Sequence, residues 1–467
     1  MKRPCDPSAP TKDAMNQTNE SDELARLRAE NAALRSENAA LRAAASATAP
    51  TPAPDDPDTY FRDSRLSEAD ISRYARQMTL PGFGAAGQAR LKHARVLVVG
   101  AGGLGSPAIL YLAGAGVGHL GIADGDVVET GNLHRQVIHR AAGEGVNKAL
   151  SAAAAVRALN ADVRVTAIPA RITAATALAT VAQYDVVVDA TDSVPARYIL
   201  SDACCAAGRP LVTGAALRGQ GQVSVFVRDG VSACYRCLHP TPPAAHSVQK
   251  ADTAGVLGPA VGVVGCLEAV EALKLASGVG APLVSRMVLV DVFANTLRVA
   301  RVRGRQAACP ACGDAPTIRD PAQYDYDAFC GTALLAPPRN VLDATAVEAG
   351  EFAALWRARG CFVVDVRSAS EYAFCALAHD PARCANLPMP LGAVDLTGPA
   401  AVAALDAARA SGAAEVVVVC RRGVTSHRLA VALREAQTLG PNVRVRHLDG
   451  GLLSLMTPSS PLHFPSY

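Results

Sequence analysis

The sequence has little net charge and no long apolar run. Its 45 basic and 42 acidic residues give a formal charge of +3, which gives no reason to expect direct nucleic-acid binding. No apolar run reaches the roughly 18 residues that a membrane span needs. The first residues contain no hydrophobic segment of a secretory signal, and their acidic side chains argue against a transit peptide. We therefore expect a cytosolic protein that binds neither membranes nor nucleic acid directly.

The sequence also lacks a cysteine pattern typical of a disulfide framework. Its 467 residues contain 13 cysteines, an odd number in a chain with no expected secretory route, so metal binding and thiol chemistry explain them better. Cys234-x-x-Cys237 and Cys309-x-x-Cys312 are two paired knuckles. Four thiolates with this spacing predict one closed, tetrahedral and structural Zn²⁺ site per chain. Reduced buried thiols or a redox pair are the alternatives.

The chain begins with a polar segment that contains a short heptad pattern. Leucine and asparagine recur there in steps of three and four, at Leu24, Leu27, Asn31, Leu34, Asn38 and Leu41. Leucine at d and asparagine at two a positions are typical of a parallel two-stranded coiled coil. Because three heptads are marginal alone, a solvated and partly helical tail is the alternative. Residues 43–58, rich in Ala, Pro and Asp, predict a flexible linker.

After this tail, short β-branched runs alternate with Ala-rich helical stretches. Strands are predicted at Arg95 to Gly100, His119 to Ala123, Tyr184 to Ala190, Arg209 to Thr213, Phe362 to Val366 and Glu415 to Val419. Such alternation favours mainly parallel α/β sheets. A break at Ala336-Pro337-Pro338 separates two stretches of this kind. The predicted organisation is a tail and linker at 1–65, a first domain at 66–318, a linker at 319–340 and a second domain at 341–467.

The first predicted strand runs into a glycine loop, Gly100-Ala101-Gly102-Gly103-Leu104-Gly105. Glycines at a helix N-terminus let backbone N–H groups approach a phosphate, and Asp124 after the next strand can hold ribose hydroxyls. These features alone fit a dinucleotide-binding dehydrogenase equally well. Two cations, Arg135 and Lys148, and the acidic Asp192 follow. Such a set suits a triphosphate with a metal ion, although each cation alone could be a surface charge.

These motifs in this order resemble the adenylation domain of the ubiquitin-activating enzymes, closest to the molybdopterin-synthase adenylyltransferases. The resemblance covers about residues 70–315 and implies a Rossmann-like domain with structural zinc. It implies that ATP and Mg²⁺ are bound by Gly103, Asp124, Gly131, Asn132, Leu133, His134, Arg135, Lys148, Asp192 and Ser193. It gives catalytic roles to Arg135, Lys148 and Asp192, with Asp192 near Mg²⁺, and to Arg76, which reaches the neighbouring subunit of a homodimer. Ser193 stands where this family usually has Asn.

A cysteine that this family often carries on its crossover loop is missing. Ungapped alignment from the first knuckle and from Gly255-Val256-Leu257-Gly258 puts Ala251 at its place, between Lys250 and Asp252. Shifting this alignment by one residue in either direction therefore places no cysteine at the position. Cys266 lies beyond the loop in an apolar segment, where we expect a packed core residue. We assign no catalytic cysteine to the first domain.

The second stretch resembles a rhodanese domain. Asp365-Val366-Arg367 follows one predicted strand, and Cys420-Arg421-Arg422-Gly423-Val424-Thr425-Ser426 follows another and precedes a helix. A thiol at a helix N-terminus beside two arginines is favoured as thiolate, and the same setting stabilises a persulfide. A buried structural cysteine is the alternative. Leu455 stands where rhodaneses often carry Trp.

The domain order resembles the eukaryotic molybdopterin-synthase adenylyltransferase and sulfurtransferase family. The resemblance implies that a ubiquitin-like sulfur carrier is adenylated at its C-terminal glycine and that a persulfide on Cys420 converts it to a thiocarboxylate. It implies use in molybdopterin synthesis and tRNA wobble-uridine 2-thiolation, with sulfur from a cysteine desulfurase or similar donor. A scaffold that presents the carrier without activating it, and an enzyme that adenylates a tRNA-linked carboxylate, remain the alternatives.

Overall fold

The computed structural model describes residues 66–227, 230–243, 254–331, 345–389, 396–456, 460, 462 and 464. The predicted heptads, Ala251 and the Ala336-Pro337-Pro338 break lie outside these residues. None of the described helices is long and apolar enough to cross a membrane.

The first part of the described chain forms an eight-stranded sheet. Its strands are β1 Arg95–Val99, β2 His119–Ala123, β3 Arg164–Ile168, β4 Val186–Asp189, β5 Leu211–Leu217, β6 Gln220–Phe226, β7 Arg286–Asp291 and β8 Thr296–Arg301. They lie in the order β3-β2-β1-β4-β5-β6-β7-β8. The pairs from β3 to β5 are parallel, and those from β5 to β8 are antiparallel. Strands β2 and β3 are added on one side of β1 and β4 and β5 on the other, so the strand order reverses at β1, which is where such sheets bind nucleotides.

Helices accompany this sheet along the chain. They are α1 Glu68–Met78, α2 Gly84–His93, α3 Gly105–Gly114, α4 Lys148–Leu159, α5 Ala174–Val181, α6 Val194–Ala207, α7 Tyr235–Leu238, α8 Gly258–Ser277 and α9 Tyr326–Cys330. Short 3₁₀ helices lie at Thr130–Asn132, Ala141–Gly143 and Pro321–Gln323. The side chains of β1 alternate between two apolar clusters, since Val96 and Val98 join one and Leu97 and Val99 the other. The sheet is therefore buried on both faces, as its β-branched runs predict.

Residues 321–330, which the sequence analysis assigned to the linker, pack onto the first domain. Tyr326 belongs to the apolar cluster beneath α5 and α6, and its hydroxyl donates to Asp202 over 2.7 Å. Arg236 binds the same carboxylate at 2.9 and 2.8 Å and stacks over Phe329 at 4.4 Å. The composition of this segment does not predict these contacts, because its aromatic residues contact partners more than 80 residues away in the chain.

A second, smaller sheet forms from the later part of the chain. Its strands are β9 Ala346–Val347, β10 Phe362–Asp365, β11 Cys384–Asn386, β12 Glu415–Val419 and β13 Arg444–Leu448, in the order β11-β10-β12-β13-β9. All of these pairs are parallel. The helices are α10 Ala349–Arg357, α11 Ala369–Phe374, α12 Pro399–Ala410 and α13 Val424–Glu435, with a 3₁₀ helix at Gly451–Leu455. Both sheets confirm the predicted α/β class and the positions of the predicted strands.

One buried carboxyl group interrupts the apolar packing of the first sheet. Glu268 on α8 is fully buried, and neither of its oxygens has a well-formed hydrogen bond within the described residues. It fits only because residue 214 is glycine, since a Cβ there would lie 2.5 Å from Glu268 Oε1. Burial, together with the nearby charge of Asp189, raises the pKa of Glu268 well above its ordinary value.

This shift predicts a pH-dependent cost in stability. The folded protein keeps the proton on Glu268 more tightly than the unfolded chain does. The stability that this proton contributes is therefore fully present below about pH 4.5 and is lost as the pH rises through the pKa of Glu268 in the folded protein. Glu268→Gln has no such proton to lose. Its melting temperature should therefore exceed that of the wild type by a margin that grows from acidic to mildly alkaline pH. For Glu435→Gln, at an exposed position, the difference in melting temperature from wild type should not change with pH. A difference for Glu268→Gln that stays constant with pH would contradict the raised pKa of Glu268.

Candidate functional site

The polar residues predicted to bind a nucleotide follow β1, β2 and β4. The glycine loop follows β1, Asp124 follows β2, and Thr191, Asp192 and Ser193 follow β4. These three strands are parallel neighbours. Because the carboxyl ends of parallel strands lie at one edge of a sheet, the three loops meet there.

The glycine loop makes two backbone approaches that no larger residue permits. Gly100 has φ +98°, and a Cβ on it would lie 2.6 Å from the carbonyl oxygen of Ala190. A Cβ on Gly105 would lie 1.9 Å from the carbonyl oxygen of Gly100. The first contact holds the loop against the end of β4, and the second brings the start of α3 against the end of β1. Backbone N–H groups at this helix N-terminus suit an anionic ligand.

Asp124 and His139 hold this loop from its other side. The carboxylate of Asp124 accepts hydrogen bonds from the backbone N–H of Ala101 and of Asp126, both at 2.8 Å. Nε2 of His139 lies 2.8 Å from the carbonyl oxygen of Ala101, and its Nδ1 lies 2.9 Å from Ser151 Oγ. Burial lowers the pKa of His139, so the neutral ring donates to Ala101 and accepts from Ser151.

Lys148 is brought to the same edge by the start of α4. Asn147 caps that helix, and its Nδ2 donates to the carbonyl oxygens of Asp124 and Asp126 at 3.0 and 3.1 Å. The Lys148 side chain is buried, with Nζ 3.6 Å from Asp126 Oδ2. Arg171 binds the other oxygen of Asp126 at 2.7 Å. Burial raises the pKa of Asp126, but the Arg171 hydrogen bond and the Lys148 charge outweigh it and hold this pKa below its ordinary value.

Arg135 lies over the glycine loop. Its Nη2 donates to Asn132 Oδ1 over 2.6 Å, its Nη1 donates to His134 Nε2 over 2.6 Å and more weakly to the carbonyl oxygen of Gly131 over 3.4 Å. Burial and the Arg135 charge lower the pKa of His134, so its neutral ring accepts this bond. A Cβ on Gly103 would lie 3.7 Å from Arg135 Cγ. Three of the predicted nucleotide-binding residues thus bind this guanidinium, Gly103 lies beside the aliphatic part of the same side chain, and Leu133 lies within the same run.

The loop after β4 presents Asp192 to solvent. Thr191 is fixed by Asp189, whose Oδ1 accepts from its backbone N–H at 3.1 Å and its hydroxyl at 2.6 Å. The charges of Asp124 and Asp192 contribute to raising the pKa of Arg171, after the larger effect of its bond to Asp126. Asp192 therefore lies near the same guanidinium, that of Arg171, as Asp124 and Asp126. Ser193 begins α6, and Arg76 lies exposed on α1.

The four predicted zinc ligands form one cluster. The sulfur atoms of Cys234, Cys237, Cys309 and Cys312 all lie within 4.8 Å of one another. Three pairs are 3.8, 3.6 and 3.4 Å apart, close to the spacing of about 3.8 Å that a tetrahedron with Zn–S bonds of about 2.3 Å requires. The backbone N–H of Gln306 donates to Cys237 Sγ over 3.3 Å. This donor set fits a structural zinc ion.

Cys420 lies at the carboxyl end of β12, directly before α13. The backbone N–H groups of Gly423 and Ser426 point at its sulfur over 3.1 and 3.4 Å, and Ser426 Oγ lies 3.2 Å away. This ring of donors suits a sulfur atom that carries negative charge. Arg421 and Arg422 follow directly in the chain.

Gly450 and Gly451 complete the wall of this loop. A Cβ on Gly451 would lie 2.5 Å from the carbonyl oxygen of Cys420, and that oxygen accepts from the N–H of Leu452 over 2.8 Å. The other cysteines of this part of the chain differ in their surroundings. Burial raises the pKa of Cys361 to about 11 and that of Cys384 to about 12, so both stay protonated thiols. In the first domain, Cys266 is partly exposed rather than packed in the core.

Sequence reasoning missed three residues that hold the candidate nucleotide site together. Asn147 directly precedes α4 and could have been found as a helix cap. His139 and Arg171 act through partners 38 and 45 residues away, so no local pattern marks them.

Comparison with known proteins places this chain in a family. The model of the ThiF family matches residues 74–311. The adenylyltransferase and sulfurtransferase MOCS3 of Arabidopsis thaliana is 41% identical over 414 residues, which cover 86% of each chain. MOCS3 of Bos taurus is 40% identical and covers 83% of this chain and 86% of its own.

Among solved structures, that of E. coli MccB with MccA-N7isoASN matches with a TM-score of 0.48 and 22% identity. It covers 54% of this chain and 76% of MccB. This score is below 0.5, so the assignment depends on the sequence matches. By those matches, the chain belongs to the ThiF family and, over most of its length, to the MOCS3 adenylyltransferases and sulfurtransferases.

Proposed function

We propose that this chain adenylates the C-terminal glycine of a ubiquitin-like sulfur carrier and then converts it to a thiocarboxylate. The first domain, residues 66–318, performs the adenylation, and a rhodanese domain, residues 341–467, supplies the sulfur. The observation that carries the proposal is the presence of two sites of different chemistry, each at the carboxyl ends of parallel strands in a separate sheet. The names of the MOCS3 relatives support both activities.

In the proposed adenylation, the carrier's carboxylate attacks the α-phosphate of ATP and pyrophosphate leaves. Negative charge builds on phosphate oxygens, and fixed cations close to them lower the barrier. Arg135 above the glycine loop and Lys148 beside Asp126 are the cations that serve this purpose. Asp124 holds the loop, and with Gly103, Gly131, Asn132, Leu133, His134 and Ser193 it shapes the ATP site.

Asp192 is the proposed partner of the Mg²⁺ that accompanies ATP. Its exposed carboxylate faces the same edge as Asp124, and carboxylate oxygens are the ligands that Mg²⁺ prefers. Arg76 is proposed to reach the phosphates of a neighbouring subunit, which requires a homodimer. Its exposure on α1 is compatible with that role.

In the second step, the persulfide on Cys420 attacks the carbonyl carbon of the acyl-adenylate. A persulfide is a strong nucleophile at neutral pH and AMP is a good leaving group. The new bond joins the outer sulfur to the carbonyl carbon, and the resulting acyl disulfide must then be cleaved by a reducing thiol to release the thiocarboxylate. The N–H groups of Gly423 and Ser426 stabilise the anionic sulfur before attack.

We place this activity in the cytosol, in molybdenum cofactor biosynthesis and in wobble-uridine 2-thiolation of tRNA. A cysteine desulfurase or a similar donor would load Cys420. Carrier-dependent exchange of pyrophosphate into ATP is the experiment that tests the activation step. A scaffold without activating function would show no exchange with any sulfur carrier.

The cations are expected to be essential for activation. Lys148→Ala and Arg135→Ala should each lower pyrophosphate exchange by about 100-fold or more, because each removes a fixed charge from the phosphates. Arg157→Ala changes an exposed cation on the same helix as Lys148 and should exchange at the wild-type rate. Wild-type exchange in folded Lys148→Ala or Arg135→Ala would remove that residue from the site.

The four clustered cysteines are expected to hold one Zn²⁺ per chain. Metal analysis of protein prepared without chelators should find one zinc ion, and Cys234→Ser should lose it. The variant should melt several degrees lower, because zinc coordination contributes folding free energy. Cys266→Ser, outside the cluster, should keep both zinc and stability. Metal-free wild type of full stability would contradict this assignment.

Sulfur transfer is expected to require Cys420. Cys420→Ala should keep pyrophosphate exchange and yield no thiocarboxylate by mass spectrometry of the carrier. Cys266→Ser should yield normal amounts, because direct attack needs no thioester in the first domain. A trapped carrier thioester on any cysteine of residues 70–315 would contradict the direct-attack mechanism.

A further inference from the structure

Arg171 lies at the same sheet edge as the candidate nucleotide site, although no local sequence motif marks it. It follows β3, which is the parallel neighbour of β2. Its side chain packs against the loop after β2 at Gly125, where a Cβ would lie 2.6 Å from Arg171 Cγ and 2.9 Å from the Arg171 backbone nitrogen. The absence of a side chain at position 125 therefore lets Arg171 lie directly against this loop.

Asp126 connects Arg171 to Lys148. Its Oδ1 accepts a hydrogen bond from Arg171 Nη2 over 2.7 Å, whereas its Oδ2 lies 3.6 Å from Lys148 Nζ. The first distance is that of a charge-assisted hydrogen bond, and the second is too long for one. The carboxylate is thus held more closely by the guanidinium, whose side chain is 78% exposed, than by the buried ammonium group.

This sharing decides how much of the Lys148 charge remains for a ligand. The backbone N–H of Lys148 donates to the carbonyl oxygen of Asp126 over 2.9 Å, so the two residues stay next to each other. A carboxylate held by Lys148 alone would move closer to it and neutralise more of its charge, because ion pairs strengthen as separation and solvent exposure fall. Arg171 competes for this carboxylate from the solvent side.

We propose that Arg171 is a positioning residue that keeps Lys148 available to the phosphates of ATP by holding the carboxylate of Asp126. The inference rests on the proposed adenylation at this site, in which Lys148 binds the phosphates. When ATP binds, Lys148 turns its charge from Asp126 to the phosphates, and Arg171 continues to neutralise Asp126. Without Arg171, the Asp126 carboxylate would both retain Lys148 and repel the triphosphate.

The test is a double-mutant cycle between Arg171 and Asp126 in the full chain. The dissociation constant of Mg²⁺-ATP is measured first without a carrier, and the KM for ATP in pyrophosphate exchange is measured second. Arg171→Ala should raise both constants about fivefold and change kcat less than about twofold, because it removes no group from the reacting phosphates. Arg171→Lys keeps the charge and should retain most of the affinity.

The Asp126→Asn background decides whether Arg171 acts through Asp126. Asparagine forms no ion pair with Lys148, so adding Arg171→Ala in this background should change the ATP dissociation constant less than about twofold. An equal fivefold loss in both backgrounds would overturn the proposal, because Arg171 would then bind ATP itself. Asp126→Asn that binds ATP more weakly than Arg171→Ala would also overturn it, because the ligand would then need the carboxylate.

Two further measurements exclude a general effect of charge or stability. Arg164→Ala removes an exposed cation at the opposite end of β3 and should bind ATP like wild type. Arg171→Ala should keep the wild-type melting temperature. Weaker ATP binding by Arg164→Ala to the same degree, or loss of affinity in Arg171→Ala together with a lower melting temperature, would overturn the positioning role.

The two assays also separate this inference from the proposed function. Wild type that binds ATP but shows no carrier-dependent exchange would contradict adenylation, while the ATP dissociation constants would still decide the role of Arg171. Wild-type exchange with unchanged ATP constants in Arg171→Ala would overturn the inference alone. Wild type that binds no ATP would overturn both.

Discussion

The close contact between the loop after β1 and the end of β4 determines where the candidate nucleotide site lies. Gly100 approaches the carbonyl of Ala190 so closely that only glycine fits, and Gly105 approaches Gly100 in the same way. These contacts fix the start of α3 against two neighbouring strands. Asp124 and His139 then hold the loop through hydrogen bonds to Ala101. Arg135 lies over this loop, and Lys148 lies beside Asp126, whose backbone N–H binds the same Asp124 carboxylate that holds the loop.

In the second sheet, close glycine contacts likewise hold a loop between a strand end and a helix start, but the chemistry of the site differs. There too a loop at the end of a parallel strand leads into a helix, and its N–H groups point inward. The atom at the centre is the Cys420 sulfur, and glycines at positions 450 and 451 allow another segment to pack against the loop. A helix N-terminus that favours an external phosphate in one domain favours a charged sulfur of the chain itself in the other.

The sequence predicts the structural features that depend on a local residue pattern and misses the residues that act through contacts with distant parts of the chain. The strands, the glycine loop, the cysteine knuckles and the Cys420 loop each lie within a few residues, so spacing and periodicity identify them. Arg171, His139 and the packing of Tyr326 on Asp202 depend on residues brought together by the fold. Glu268 shows the same limit, because its helix pattern gives no sign that both carboxylate oxygens lack well-formed hydrogen bonds among the described residues.

The surroundings of each cysteine determine which chemical role its sulfur atom can have. Cys361 and Cys384 are buried among apolar side chains, which raises their pKa and keeps them as thiols. The four knuckle cysteines lie near enough to share a cation, and that cation would make them poor nucleophiles. Cys420 instead has two backbone N–H groups directed at its sulfur. Since a persulfide must be anionic to attack a carbonyl carbon, this ring of donors makes Cys420 the cysteine best suited to carry sulfur to an activated carboxylate.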